Sequence, residues 1–497
     1  MLSGIGMLFD LEAGAARLTQ VAYDVCVCGT GPAGITVARE LAAAGKKVAL
    51  LEGGGFKYTE QSQSLYSGIE TGIPIYNTAL TGCRLRYFGG TSNHWSGLCG
   101  VFEESDFLPD RYQKLPGWPI PRSEVHAHLA DAIKILELPV SEFSSRPFGD
   151  PQRSSFERPT LAMSPPTRFG AKYLDEITRS EQIHLFVNAN VVDLELSAVS
   201  GGNSNIKSIS VKNYRKEAAK VSAKQYVLAM GSIENARLLL SSNKQVNVGI
   251  GNQSDFVGRC FMEHLNVGIG RFVTRSANSL TKGGANIAPT ENTIRRFKIG
   301  NGILSLGENH VPQESGRLGP VRGIVRRAAC EFDTIREFSR KFKDFDCAGD
   351  GTITTLIEQS PERNNRVTLS SETDDFGLRR PHLHWALSDL DRRTIRTLAM
   401  ELAKNLAETD IARVQLNRFI TEPEREIEVW NHAHQMGTTR MAADPKHGVV
   451  DTDCRVHGVG NLYVAGSGVF PTGGGINPTL TIVMMSLRLG KHLRNKT

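Results

Sequence analysis

Apolar and polar positions change period several times along the chain, and the first change is the sharpest. From Tyr23 the sequence reads YDVCVCGTGPAGITVARELAAAGKKVALLEGGG. A short apolar run, Val25 to Cys28, enters a glycine turn. An alanine-rich amphipathic stretch follows to Ala44, Gly45 ends it, and a second apolar run, Val48 to Leu51, closes on Glu52. That order predicts strand, turn, helix, strand. Segments 182–196 and 206–214 read as consecutive strands. Segment 224–242 reads as a strand, a turn at Gly231 and a helix, which returns the chain to the first sheet. From about Asn266 to Glu426 short alternating segments such as GTITTLIEQS and NRVTLS predict an antiparallel sheet with flanking helices. The basic stretch IREFSRKFKDFD at 335–346 reads as a solvated helix face. Near the end, NLYVAGSG at 461–468 predicts a strand inserted beside the first one, and GGGINPTLTIVMMSLRLGKHL opens a long helix behind glycines and a proline.

Composition narrows the class. A chain of 497 residues, 40% hydrophobic and 22% charged, is too long for one core and predicts two domains. Its net charge of +6 comes from 58 basic and 52 acidic residues without a block of like charge, which argues against nucleic-acid and membrane-surface partners. The eight cysteines are scattered with no CxxC, so neither a zinc ribbon nor an iron–sulfur cluster is signalled, and no metal site is expected. The first twenty residues do not read as a signal peptide, and no run reaches a membrane span, so the expectation is a soluble cytoplasmic protein with buried thiols.

The glycine turn carries the first chemistry. Gly29 permits the tight turn, Gly31 lets backbone approach a pyrophosphate, and Gly34 lets the helix pack on the strand. The helix N-terminus then offers unpaired N–H groups to phosphate. Glu52, at the end of the second strand, suits hydrogen bonds from both ribose hydroxyls and disfavours a 2′-phosphate. The motif alone leaves NAD and FAD open, and the extra glycines from Gly53 onward lean toward FAD.

Several segments together carry a resemblance: GTGPAGITVARELAAAGKKVALLEGG at 29–54, RLRYFGGTSNHWSG at 84–97, GSIENARLLL at 231–240, VGRCFMEH at 257–264, HQMGTTRM at 434–441 and FPTGGGINPTLT at 470–481. Read together, they resemble the glucose-methanol-choline (GMC) oxidoreductases, with pyranose oxidases and FAD-dependent sugar dehydrogenases as the nearest branch. The resemblance implies an α/β fold plus antiparallel sheet. Its Rossmann-like FAD-binding domain is expected in discontinuous segments 20–100, 180–265 and 440–497, with 101–179 as connecting and lid segments and 266–439 as the substrate-binding domain. It implies FAD-dependent oxidation of a secondary hydroxyl of a sugar or glycoside, at pyranose C2 or C3. His434 would be the base, hydride would pass to flavin N5, and Asn477 would orient the hydroxyl.

For the cofactor, the resemblance adds Gly89, Gly90, Thr91, Asn93, Trp95 and Ser96 in the FGGTSNHWSG loop. It also adds Val192, Ala229, Gly231, Gly466, Ser467, Pro478 and Thr479 to Gly29, Gly31, Gly34, Glu52 and Gly53. His94 stands where some pyranose oxidases tether flavin covalently, yet Asn93 replaces the threonine of that pattern, so both a bonded and a free FAD stay open. Gln435, Gln359 and His264 are candidate substrate contacts, with His264 otherwise structural, and His432 shares a face with His434. Oxygen or another acceptor would receive the electrons. Oxidation of a non-sugar alcohol and a non-redox lyase are the alternatives, and homo-oligomerisation is left open.

Overall fold

The computed structural model describes all residues except 1–6, 15–20, 75–78, 110–114, 150–153, 198–203, 275–284, 309–349 and 497. The basic stretch at 335–346 therefore lies outside the described residues.

A six-stranded parallel sheet runs, from one edge, Leu8–Asp10, Ile183–Val187, Val48–Leu51, Tyr23–Cys28, Ala223–Leu228, Leu462–Val464. Val25, Cys26, Val27 and Cys28 are all fully buried, as expected of a parallel strand covered on both faces. The helix Pro32–Ala43 buries almost its whole circumference because the C-terminal helix Thr479–Arg494 packs on its outer side. A Cβ on Gly490 would come 2.7 Å from Glu40 Cβ, so that glycine sets the approach of the two helices. The strand at 462–464 does not lie beside the first strand as expected, because Ala223–Leu228 pairs with both and stands between them.

The expected strand at 182–196 is two. Asn188 takes a left-handed φ of +57°. Before it, Ile183–Val187 joins the parallel sheet, and after it Asn190–Leu196 pairs antiparallel with Ile206–Lys212. A left-handed turn made by an asparagine leaves little trace in the hydrophobic pattern, since both halves are apolar.

The second layer is a nine-stranded sheet. Its main path runs Ala412–Leu416, Gly270–Thr274, Gly351–Glu358, Gly302–Glu308, Ala285–Pro289, Phe156–Pro159, Ser145–Pro147, and His264–Asn266 bridges Gly351–Glu358 to Trp430–Asn431. Within the segment expected to connect and cover, 145–147 and 156–159 extend this sheet. The helix Asp389–Glu408 lies against it through Ile395, Leu398, Ala399, Leu402 and Leu406, a stripe at helical spacing. Ser388 caps that helix in a reciprocal capping box with Asp391. Arg366–Thr373 and Arg379–Trp385 form a hairpin that pairs with Ile69–Gly72 and carries the turn at 374–378 to the edge of the parallel-sheet unit.

Candidate active site

A cavity of 480 Å³ opens at the carboxyl ends of the parallel strands 23–28, 48–51 and 223–228, where loops replace pairing. Gly29 turns there at φ +107°, and a Cβ would stand 2.5 Å from the Ala229 carbonyl oxygen, so the two strand ends meet as only glycine allows. The space beside Gly31 is open, and this residue caps the first helix without a side chain, leaving first-turn N–H groups toward the cavity. Gly34 does not line it. A Cβ at Gly34 would lie 1.9 Å from the Gly29 oxygen, so its duty is to let helix and turn touch.

Glu52 lines the cavity with both oxygens already engaged. Its Oε1 accepts the Gly54 N–H at 2.9 Å, and its Oε2 accepts the Thr30 hydroxyl. Each oxygen keeps a lone pair for a further donor. Gly53, Val192, Ala229 and Gly231 continue this wall, and Gly466, Ser467, Pro478 and Thr479 close the other side.

The FGGTSNHWSG loop divides. Gly90, Thr91, His94, Trp95 and Ser96 line the cavity, while Gly89 and Asn93 do not. A Cβ on Gly89 would sit 2.5 Å from the Gly170 nitrogen, and Asn93 Nδ2 donates to the Phe88 carbonyl at 2.9 Å. Gly89 and Asn93, expected as cofactor contacts, thus stand behind the cavity wall in packing and loop closure. Arg168 donates to the carbonyls of Ser92 and Trp95, and burial together with this cation holds His94 below its ordinary value.

Five charged residues that line the cavity were not singled out from the sequence. Arg84 pairs with Glu234 at 2.7 Å, and Arg237 pairs with Asp374 at 2.6 Å and Glu234 at 3.2 Å. Arg86 donates to the Tyr214 hydroxyl at 3.1 Å, and that hydroxyl donates to the Gly53 carbonyl. Arg84 and Arg86 stood inside a quoted motif, but Glu234 and Tyr214 reach them from 150 and 128 positions away, beyond any spacing rule.

At the other end stand three imidazoles. His434 and His432 line the cavity with Asn477 and Gln435. The segment at 432–434 is not a strand, since Ala433 adopts φ +59°, yet the rings of His432 and His434 lie parallel with centroids 5.7 Å apart. The His434 ring also meets His264 edge-on, and burial with both neighbours keeps His434 well below its ordinary value. It is neutral at neutral pH. Asn477 Oδ1 is buried with no protein partner. Gln435 Nε2 donates to Cys83 Sγ at 3.0 Å.

Two of the expected substrate contacts are corrected. Gln359 is fully buried with its amide spent on the Glu263 N–H and the Ala386 carbonyl, and His264 is fully buried without lining the cavity. Glu263 accepts the backbone N–H groups of His434 at 2.8 Å and His264 at 3.2 Å, and burial pushes its carboxyl up to about 8.

The family model for GMC oxidoreductase matches residues 361–486, the stretch that holds His434 and Asn477. By that match the chain carries a GMC oxidoreductase C-terminal domain. It is 29% identical to the fructose dehydrogenase large subunit of Gluconobacter japonicus, over 62% of this chain and 53% of that one. It is 24% identical to the 6'''-hydroxyparomomycin C oxidase of Streptomyces lividus, over 97% and 93%. The chain thus spans about half the length of the first relative and nearly all of the second. The fold of pyridoxine 4-oxidase from Mesorbium loti superposes with a TM-score of 0.55 at 16% identity, covering 95% of this chain and 99% of that one.

GMC oxidoreductases generally bind FAD, and the cavity fits it. The glycine turn and helix N-terminus suit a pyrophosphate, Glu52 suits a ribose, and the orphaned Asn477 oxygen awaits a donor. Among the described residues no group of three or more His, Cys, Asp or Glu could hold a metal, and no helix is long and apolar enough to cross a membrane. The described cysteines Cys26, Cys28, Cys83, Cys99, Cys260 and Cys454 are free and buried.

Proposed function

We propose that this GMC oxidoreductase oxidises a secondary hydroxyl of a neutral sugar or glycoside, at pyranose C2 or C3, to a ketone. One observation carries this reading: a neutral imidazole, His434, and an amide with an unpartnered oxygen, Asn477, line the same cavity. His434 takes the hydroxyl proton, and Asn477 orients the oxygen without competing for that proton. When bound, FAD supplies the hydride acceptor. The first-turn N–H groups after Gly31 and the carboxylate of Glu52 would hold its dinucleotide part, and we read His94 as a contact without a covalent bond.

A neutral substrate is supported by the charges. The acids Glu234 and Asp374 are taken up by Arg84 and Arg237, Glu52 by its own hydrogen bonds, and the imidazoles at the catalytic end are uncharged. A sugar is supported by the name of the Gluconobacter relative.

Anaerobic mixing with a panel of sugars, glycosides and simple alcohols, followed by oxygen or a dye acceptor, tests this. Sugars or glycosides should bleach the flavin absorbance and yield a ketose-type product. Bleaching by a non-sugar alcohol alone would overturn the substrate reading, and turnover without bleaching would point to a lyase. Acid precipitation should release the yellow colour from the chain; colour retained in the pellet would show a covalent bond.

A further inference from the structure

His264 does not line the cavity but stands against His434, which does. The two rings stand edge to face at 86°, centroids 5.1 Å apart, with their Nδ1 atoms 2.9 Å apart. Two imidazole nitrogens at that distance share one hydrogen, so one donates and the other accepts. The far side of His264 decides which. Its Nε2 lies 2.8 Å from the Gly474 carbonyl oxygen, which can only accept, so Nε2 carries a hydrogen. His264 is fully buried, and burial pushes it down to about 4, so the ring is neutral and has no second hydrogen to give. Its Nδ1 is therefore a bare acceptor. His434 must donate from Nδ1, and being neutral it has no hydrogen left for Nε2.

We infer that His264 is a positioning residue that fixes His434 in the Nδ1–H form and so makes His434 Nε2 the atom that takes the substrate proton. The inference rests on the proposed role of His434 as base. In that step the hydroxyl O–H bond breaks, an Nε2–H bond forms, and the imidazolium keeps its Nδ1–H on His264. The same ring joins the two halves of the site. Gly474 belongs to the loop leading to Asn477, and its N–H donates to Glu358 at 3.0 Å while its carbonyl accepts from His264. The Glu263 carboxyl gathers the backbone N–H groups of both histidines, which fixes the ring separation from behind. The His432 ring lies parallel to that of His434, centroids 5.7 Å apart, and its Nε2 is 3.1 Å from the Thr355 carbonyl, so its in-plane nitrogens are not aimed at this bond.

Three variants of the flavin-loaded enzyme test this. Asparagine can present an acceptor near the Nδ1 position, glutamine only a donor near Nε2, and leucine neither. His264→Leu and His264→Gln should slow flavin reduction at saturating substrate by about 10-fold or more while leaving substrate Kd and flavin content unchanged, and His264→Asn should recover most of the rate. In protein carrying ¹⁵N-labelled histidine, His434 Nε2 should give a pyridine-type signal in the wild type and in His264→Asn, and a mixed signal in His264→Gln. Should His264→Leu not fold, the Asn and Gln pair decides. Equal rates and an unchanged Nε2 signal across the variants would overturn the inference while His434→Ala still abolished reduction. A His434→Ala enzyme of normal rate would instead overturn the proposed function.

Discussion

The two ends of the cavity are built by different means. At the proposed dinucleotide end, backbone shapes the wall through glycine turns and a helix N-terminus, beside side-chain charges that satisfy one another. At the histidine end, side chains do it, and every imidazole is kept uncharged by burial. Backbone N–H groups at a helix N-terminus suit an anion and tolerate little movement, whereas neutral imidazoles leave one lone pair free to accept a proton. The difference teaches that binding and chemistry can be damaged separately, and each prediction below tries to break or sharpen that separation.

The largest effect belongs to the backbone end. Gly34→Val must displace the Gly29 turn, whose oxygen lies 1.9 Å from the new Cβ position. A cost above about 5 kcal/mol is expected, seen as loss of soluble flavin-containing protein. Asp374→Ala strips Arg237, whose side chain is only 4% exposed, of its shorter ion pair. Because Glu234 remains at 3.2 Å, the loss in urea unfolding should fall near the low end of about 3–5 kcal/mol. His434→Ala should do the reverse, keeping flavin and fold while slowing flavin reduction by about 100-fold or more in stopped flow. Were flavin retention to fall with it, the two ends would not be separable.

Glu263→Gln acts through pH. Burial raises this carboxyl from an ordinary 4.5 to about 8, so the folded protein holds its proton more tightly than the unfolded chain. Its contribution to stability is complete below about pH 4.5 and is lost as pH rises through 8. The variant should therefore lose less stability than the wild type between pH 6 and 8, by about 2 kcal/mol or less, measured as thermal midpoints along that range. The smallest effect is Glu176→Ala, which breaks the half-exposed pair with Arg39 outside both ends and should cost under about 1 kcal/mol.

The dinucleotide end was legible in the sequence because its logic is local. Strand, glycines, helix and Glu52 fall within one stretch, and the structure follows that stretch closely. The resemblance also gave Gly89 and Asn93 to the cofactor, and the structure puts them off the cavity wall, since small residues beside a cofactor and small residues beside another helix look alike in one sequence. The histidine end was legible only as separate pieces. His434 and His264 lie 170 positions apart and meet because His264–Asn266 and Trp430–Asn431 pair as strands, a register that no hydrophobic pattern announces. Gln359 was misread for the complementary reason. Its amide reads as a polar contact for a ligand until the Glu263 and Ala386 backbone groups that consume it are in view.

The parallel sheet gathers Tyr23–Cys28, Ala223–Leu228 and Leu462–Val464 side by side, and the cavity above it draws on Gly29 and on Asn477 alike. On the ribosome Asn477 emerges long after Gly29. The early strands must wait, with an open edge and a half-made cradle, until the last wall of the cavity has been synthesised. The cavity is therefore complete only once Asn477 and Thr479 have joined it, and a ligand it holds is enclosed after the parallel sheet has gained Leu462–Val464.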